Sequence, residues 1–297
     1  MAKSGFVAII GKPNVGKSTF LNAVLGEKVA ITSSKPQTTR YRLEGIYHSP
    51  RGQIIFVDTP GIHEPKHPLG EKLVAIAKKS FRDMDSIIYM VNAVEPFDDI
   101  DASIIESFKG VSAKIYLVLN KLDLAHDLDR LESHIAKYKA RYDFHKTVAI
   151  SAKDNIYTAQ LVDDLFEGLD DGILYYPEAM KTNRSKRFLM AELIREKILN
   201  LTQQEIPHSV FVTIETIERG ADDLLEIYAS IVVEKASQKG IIIGKGGALI
   251  KKIGRQARLE LVPLLGEKVF LDLHVKVIPD WRFKTQTLTQ VFAGDFE

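Results

Sequence analysis

The stretch GKPNVGKST, residues 11–19, decides the fold of the first half of this 297-residue chain. It follows a short apolar run, Phe6-Val7-Ala8-Ile9-Ile10, and leads into a helix-like stretch over 18–25. A strand, a glycine-bearing turn and a helix, in that order, are the setting in which Gly-x-x-x-x-Gly-Lys-Ser/Thr binds phosphate. Gly11 and Gly16 let backbone N–H groups curl around an anion at the helix N-terminus, with Asn14, Val15 and Thr19 completing the binding set. Lys17 reaches the β and γ oxygens, and Ser18 offers its hydroxyl to Mg2+. The loop alone leaves adenine and guanine nucleotides both open.

Outward from the loop, β-rich runs at 53–57, 86–91, 114–119 and 147–150 alternate with helix-like stretches. That rhythm implies an α/β fold whose mainly parallel sheet is covered by helices on both faces. A further strand over 42–48, joined to the next by Ser49-Pro50-Arg51-Gly52, adds one antiparallel hairpin. Three more motifs fall at the carboxyl ends of these strands, where open α/β sheets bind ligands. In DTPG (58–61), Asp58 can orient a metal through water and the Gly61 N–H can meet a γ-phosphate. In NKLD (120–123), Asn120 and Lys121 precede Asp123, whose carboxylate can accept both the N1–H and the exocyclic amine of guanine. Adenine has no such donor pair on that edge. SAK (151–153) sets backbone N–H groups of Ser151, Ala152 and Lys153 beside the base. The four motifs in this order select a guanine nucleotide.

With 45% apolar and 27% charged residues, the chain has the material for two buried cores and does not read as disordered. It has no cysteine, which excludes disulfides and thiolate metal sites and fits a reducing cytoplasm. No apolar run approaches the roughly 18 residues of a membrane span and the start shows no targeting pattern, so a cytoplasmic protein is expected. The net charge of +1 hides a division: residues 1–180 hold 22 Lys+Arg against 24 Asp+Glu, and 181–297 hold 18 against 15. Residues 154–180 carry seven acids and no base, and Lys181, Arg184, Lys186 and Arg187 follow at once. The boundary is therefore expected near Tyr175-Tyr176-Pro177, giving domains of 1–176 and 177–297.

Past that boundary, helical spacing over 188–201 is followed by strand-like runs at 210–214 and 225–233, a glycine cluster, a long helix pattern and an alternating strand over 269–277. The cluster, GIIIGKGGALIKK (240–252), fails as a second phosphate loop. Three residues separate Gly240 from Gly244 where four are needed, and Gly246 stands where the metal-binding hydroxyl belongs. It does fit the Gly-x-x-Gly loop of a KH domain, whose backbone packs against about four nucleotides. Gly244, Lys245, Gly246 and Gly247 would form that loop, with Lys251, Lys252 and Arg255 around the phosphates and Ile241, Ile243 and Ile250 in the core or under the bases. Residues 235–258 contain Lys235, Lys239, Lys245, Lys251, Lys252, Arg255 and Arg258 and no acid, a patch that attracts polyanions. An ordinary interhelical turn on a solvated basic face is the alternative.

Residues 1 to about 170 look like a translation-factor-related GTPase domain, and the whole chain resembles the bacterial Era family of ribosome-assembly GTPases. The matching segments are GKPNVGKST, KPQTTR (35–40), DTPGIHEP (58–65), NKLD, AELIREKI (191–198) and EIPHS (205–209). The resemblance implies a P-loop GTPase domain with a mainly parallel sheet, followed by an α+β KH-type RNA-binding domain. It also implies Mg2+-dependent hydrolysis of GTP to GDP, with Lys17, Thr39 and Gly61 catalytic and Thr39 joining Ser18 at the metal; Thr38 is the alternative threonine. Ile62 stands where small GTPases carry a water-orienting glutamine, so intrinsic hydrolysis should be slow. Asn14 either helps hold a monovalent cation such as K+ or is a plain turn residue. The implied partners are small-subunit ribosomal RNA near its 3′ end and the 30S subunit, bound by a monomeric chain with peripheral association at the inner face of the cell membrane as a further expectation. Two rival readings are an RNA chaperone whose nucleotide site only stabilises the fold, and a GTPase working on membranes or tRNA.

Overall fold

A computed structural model describes residues 2–65, 68–81, 83–220 and 223–292. The chain divides into two compact units: Met1–Ala30, Thr39–Lys66 and Gly70–Asn183 form one, and Ile31–Thr38, His67–Leu69 and Arg184–Glu297 the other. Among the described residues, no helix is long and apolar enough to cross a membrane.

The first unit runs β1 (Lys3–Ile10), α1 (Lys17–Leu25), β2 (Leu43–Ser49), β3 (Gly52–Asp58), α2 (Pro68–Lys79), β4 (Ser86–Asn92), α3 (Asp99–Glu106), β5 (Lys114–Asn120), α4 (Leu128–Lys139), β6 (Lys146–Ala149) and α5 (Thr158–Gly168). Its six-stranded sheet has the order β2-β3-β1-β4-β5-β6, parallel except for the β2–β3 hairpin. Every residue of β3 and β4 is buried, as expected of strands covered on both faces, so they read as unbroken apolar runs without alternation. Full burial of side chains such as Ile87, Leu117 and Leu119 contributes roughly 1.5–3 kcal/mol each. Gly52 closes the hairpin at φ +139°, and a Cβ there would stand 1.8 Å from the Lys3 carbonyl oxygen, so only glycine permits this approach to β1.

After α5 the chain stays with the first unit for longer than the charge pattern suggests. Buried Gln53 accepts from the Tyr175 and Tyr176 N–H groups at 2.9 and 3.1 Å and donates to the Tyr176 carbonyl at 2.8 Å. The Ile46 N–H donates to Lys181 O at 2.8 Å. These bonds carry residues up to Asn183 with β2 and β3, so the compact units part seven residues beyond the 176/177 division drawn from sequence.

The second unit contains α6 (Lys186–Leu201), α7 (Ile206–Ser209), β7 (Phe211–Arg219), β8 (Leu225–Val233), α8 (Ala236–Ile243), α9 (Ala248–Leu265), β9 (Val269–Val277) and α10 (Thr285–Phe292). Its sheet has the order β7-β8-β9, antiparallel and then parallel. The expected α-β-β-α-α-β order is present, and α7 and α10 are additions to it. Ile253, Ala257 and Leu261 recur at four-residue spacing along α9 and are fully buried with Ile194 and Ile198 of α6 and Ile227 and Ile231 of β8. In α8 the fully buried isoleucine is Ile242; of the three expected in the core or under the bases, Ile241 is 53% exposed and so not in the core, while Ile243 and Ile250 pack at its edge.

Helix α6 has apolar residues on every side, and three of its buried residues are charged: Arg195, Glu196 and Lys197. Glu196 accepts the Thr32 N–H at 2.9 Å, and the Arg195 guanidinium donates to the Thr38 carbonyl. Ile31 joins the same core. Lys197 lies 2.5 Å from Glu196 Oε2 and also pairs with Glu260; burial opposes its charge, but the two glutamates hold its pKa above the ordinary lysine value. Pairing is required because an uncompensated buried charge costs several kcal/mol. Segment 31–38 thus belongs physically to the second unit, although its neighbour Thr39 belongs to the first.

Candidate nucleotide site and nucleic-acid interface

The carboxyl ends of β1, β3, β5 and β6 bring the four sequence motifs together. Gly11 and Gly16 adopt φ of +156° and +103°, and Asn14 takes the left-handed value of +63°. A Cβ on Gly16 would lie 2.1 Å from Asn120 Nδ2, and one on Gly11 would lie 2.2 Å from the Met90 carbonyl oxygen. Both glycines are therefore dictated by close approach as well as by backbone conformation. Val15 is buried, and Ser18 and Thr19 open α1 behind Lys17. The buried Lys17 ammonium donates to Lys12 O at 2.8 Å and Gly11 O at 3.2 Å. Burial lowers its pKa to about 8, against the opposing pull of Asp58.

Ser18 Oγ donates to Asp58 Oδ2 at 2.7 Å and lies 3.0 Å from Thr39 Oγ1. Burial pushes the Asp58 carboxyl up, and Lys17 and the Ser18 hydroxyl pull it back. Asp58 Oδ1 is buried with no hydrogen-bond partner among the described residues. An orphaned carboxylate oxygen beside two hydroxyls is an oxygen donor set suited to Mg2+, so these residues fit the metal. Ser18 and Thr39 would hold it directly and Asp58 through water, and bound there it would neutralise charge on the β- and γ-phosphates. The Thr38 hydroxyl donates instead to Lys35 O at 2.6 Å, which leaves Thr39 as the threonine beside Ser18.

Asn120 links three motifs: its Nδ2 donates to Val15 O at 2.8 Å and its Oδ1 accepts from the Ala152 N–H at 2.9 Å. The sequence groups Asn120 with the base, whereas its amide braces the loops. Ser151 Oγ donates to Asp123 Oδ1 at 2.7 Å, fixing the carboxylate expected from sequence to read guanine. Lys121 takes φ +67° at the turn between them, Ala152 is buried and Lys153 is exposed. Asp123→Asn is expected to shift base preference from guanine to xanthine, because an amide can donate to the oxygen that replaces the exocyclic amine; competition between GTP and XTP for the variant measures it, and retained guanine preference would contradict the assignment.

A Cβ on Gly61 would lie 2.6 Å from Pro13 N, so this glycine packs directly on the phosphate loop. Ile62 is 5% exposed within the core, and its N–H donates to Gly11 O at 3.1 Å. It anchors the strand end and presents no polar group to water. Ile62→Ala is accordingly expected to cost about 2–4 kcal/mol of stability. Turnover at a temperature where the variant is folded should fall far less than the roughly 10³-fold loss that follows removal of a transition-state charge stabiliser. Chemical unfolding and a GTPase assay on one sample separate the two effects.

In the second unit, residues 244–247 join α8 to α9. Gly244, Gly246 and Gly247 have φ of +73°, +59° and +78°. A Cβ on Gly244 would meet Leu249 N and Cβ at 2.9 Å, while Gly246 faces open space. Lys245 and Gly246 are exposed, so a polyanion can approach the backbone. Beside the loop lies a groove of about 380 Å³ between α9 and β9, lined by Ile250, Gly254, Leu271 and Leu273, by the basic Lys251, Arg255 and Arg258, and by a single acid, Asp272. Arg258 joins the expected contact residues because it lies seven positions from Lys251, on the same helix face; Lys252 is exposed on α9 but does not line the groove. Trp281 carries no signal in the sequence, yet it is fully buried, donates from Nε1 to Ser209 O at 2.9 Å and packs edge-on against Phe211 at 4.7 Å.

A guanine-reading P-loop domain followed by a KH domain defines a class of GTPase with an RNA-binding module. In agreement, a family model described as a 50S ribosome-binding GTPase matches residues 6–121, and a KH-domain model matches 205–282. Over 100% of both chains the protein is 40% identical, with a TM-score of 0.95, to Era in complex with MgGDPNP and nucleotides 1506–1542 of 16S ribosomal RNA. It is also 40% identical to a point variant of Aquifex aeolicus Era bound to GDP·AlF4−, over 99% of this chain and 100% of that one, with a TM-score of 0.94. The chain belongs to the Era family.

Proposed function

We propose that this chain hydrolyses GTP to GDP with Mg2+ and binds small-subunit ribosomal RNA near its 3′ end during assembly of the 30S subunit. The observation that carries the reading is that a full-length relative holds both MgGDPNP and a 16S ribosomal RNA segment, while this chain keeps the Ser18–Asp58–Thr39 cluster and the glycine loop with its basic groove. Nucleotide state reaches the RNA-binding unit through the chain itself. Thr39 senses the γ-phosphate, and the residues just before it are tied to Arg195 and Glu196 of α6. The chain is proposed to work as a cytoplasmic monomer on the 30S subunit, with peripheral association at the inner face of the cell membrane as part of the same proposal.

K+ is proposed as a second cation beside the phosphates, held with help from Asn14. The left-handed backbone at Asn14 is one that asparagine tolerates anyway, so the geometry alone does not require the ion. Turnover is expected to be faster in potassium than in sodium, and equal rates would leave Asn14 a turn residue. Crosslinking in cells with sequencing of the bound RNA tests the main proposal. Reads concentrated at the 3′ end of small-subunit ribosomal RNA are expected, and reads confined to tRNA would overturn it.

A further inference from the structure

Lys12, the first variable position of the phosphate loop, is almost fully buried. Its ammonium lies 2.8 Å from Asp101 Oδ2 and 3.0 Å from Asp98 Oδ2. These carboxylates form the capping box at the start of α3: the Asp101 N–H donates to Asp98 Oδ1 at 3.0 Å, and the Asp98 N–H to Asp101 Oδ2 at 3.2 Å. Asp101 is fully buried and also accepts the Tyr89 hydroxyl at 2.8 Å. Burial works against the Lys12 charge, but hydrogen bonds to Asp101 and Asp98 hold its pKa above the ordinary lysine value, so the ammonium persists.

The main chain of the same residue faces the chemistry, since Lys12 O accepts the Lys17 ammonium at 2.8 Å. We infer that Lys12 is a positioning residue for GTP turnover: its side chain pins the phosphate loop to α3, and its carbonyl thereby sets the ammonium of Lys17. The inference rests on the guanine-nucleotide reading of residues 11–18. The loop gains from outside restraint, because Gly11 and Gly16 leave its backbone more conformational freedom than other residues would. Asn120 supplies one brace at Val15 O, and the Lys12 latch supplies another at the opposite end of the loop. A loop held in its binding shape does not have to be ordered when the phosphates arrive.

A purely structural ion pair would show the same distances, so the test must separate folding from turnover. In the full-length protein, Lys12→Met alone strands the buried Asp101 charge and should lower the thermal midpoint. The double variant Lys12→Met/Asp101→Asn removes both charges and keeps an acceptor for Tyr89 at the loss of the Asp98 N–H bond, so its midpoint should fall less than that of Lys12→Met. Its dissociation of a fluorescent GDP should nevertheless quicken about 10-fold, and its kcat for GTP should fall about 10-fold, each the equivalent of losing roughly one ordered side chain's worth of preorganisation. Lys12→Arg should recover most of both rates. Asp98→Asn, at a half-exposed cap position that asparagine also serves, folds in any case and should quicken GDP release roughly 2- to 3-fold. Wild-type release and turnover in the double variant and in Asp98→Asn would overturn the proposal. Failure of the nucleotide reading looks different: the unmodified protein would then not bind the fluorescent GDP, or Lys17→Ala would bind it as well.

Discussion

Lys17→Ala is expected to abolish tight GTP binding in the full-length protein. Lys17 is the buried cation of the phosphate loop: two of its three N–H groups go to the carbonyls of Gly11 and Lys12, and the third is proposed to meet phosphate oxygens. Truncating one partner of a buried charge-assisted pair costs about 2–5 kcal/mol or more, equivalent to an affinity loss of roughly 30-fold to several thousand-fold. The substitution also strips a cation from beside the buried Asp58 carboxylate, one of whose oxygens has no hydrogen-bond partner among the described residues. RNA affinity measured without nucleotide should stay within a few-fold, since the glycine loop and its groove belong to the other compact unit. Titration with fluorescent GTP and with RNA checks both halves. GTP affinity within a few-fold of the parent would show that Lys17 does not bear on phosphate, and loss of RNA binding would show that the two activities are not separable as described.

Lys245→Asp together with Gly246→Asp should lower RNA affinity by about 10²-fold or more, because two anions and two side chains are placed where phosphates meet the backbone. The substitution is chosen to spare the fold. Both positions are exposed, nothing lies within 4 Å of a Cβ at Gly246, and aspartate is among the few residues that tolerate its left-handed backbone. A change at Gly244 would not serve, since a Cβ there collides with Leu249 and would unfold the loop. GTP affinity and the thermal midpoint should be nearly unchanged. Unaltered RNA affinity with an intact fold would reduce the loop to an ordinary interhelical turn.

The parts of the molecule legible in sequence are those where one local requirement leaves few residue choices. Gly11, Gly16, Lys17 and Ser18 match a spacing that phosphate binding demands, and Asp123 falls in a motif that guanine's donor pair demands. The strands of the first sheet are readable as apolar runs since both of their faces are covered. What escapes depends on contacts between residues far apart in the chain. Asn120 bonds to Val15 and Ala152, and nothing near position 120 announces a brace. Lys12 reads as a variable loop residue until Asp98 and Asp101 fold against it. Arg195, Glu196 and Lys197 are consecutive charged residues of a kind usually exposed, yet all three are buried and two of them hold segment 31–38. Their burial also explains why the compact units do not follow sequence order: the core around Ile31 is completed by α6. Ile241 and Ile242 cannot be ranked from a run of three isoleucines, because the choice turns on the helical phase of α8.

The property proposed for this chain is the coupling of GTP turnover to recognition of ribosomal RNA. Single-turnover GTP hydrolysis, measured with Mg2+ in the presence and absence of an RNA copy of the 3′-terminal segment of small-subunit ribosomal RNA, tests it most directly. This RNA is expected to change the hydrolysis rate while a scrambled RNA of equal length does not, and the response should disappear in the Lys245→Asp/Gly246→Asp variant with basal hydrolysis intact. An RNA that binds with full affinity and leaves the rate unchanged would contradict the coupling, and would make the nucleotide a structural support for an RNA scaffold.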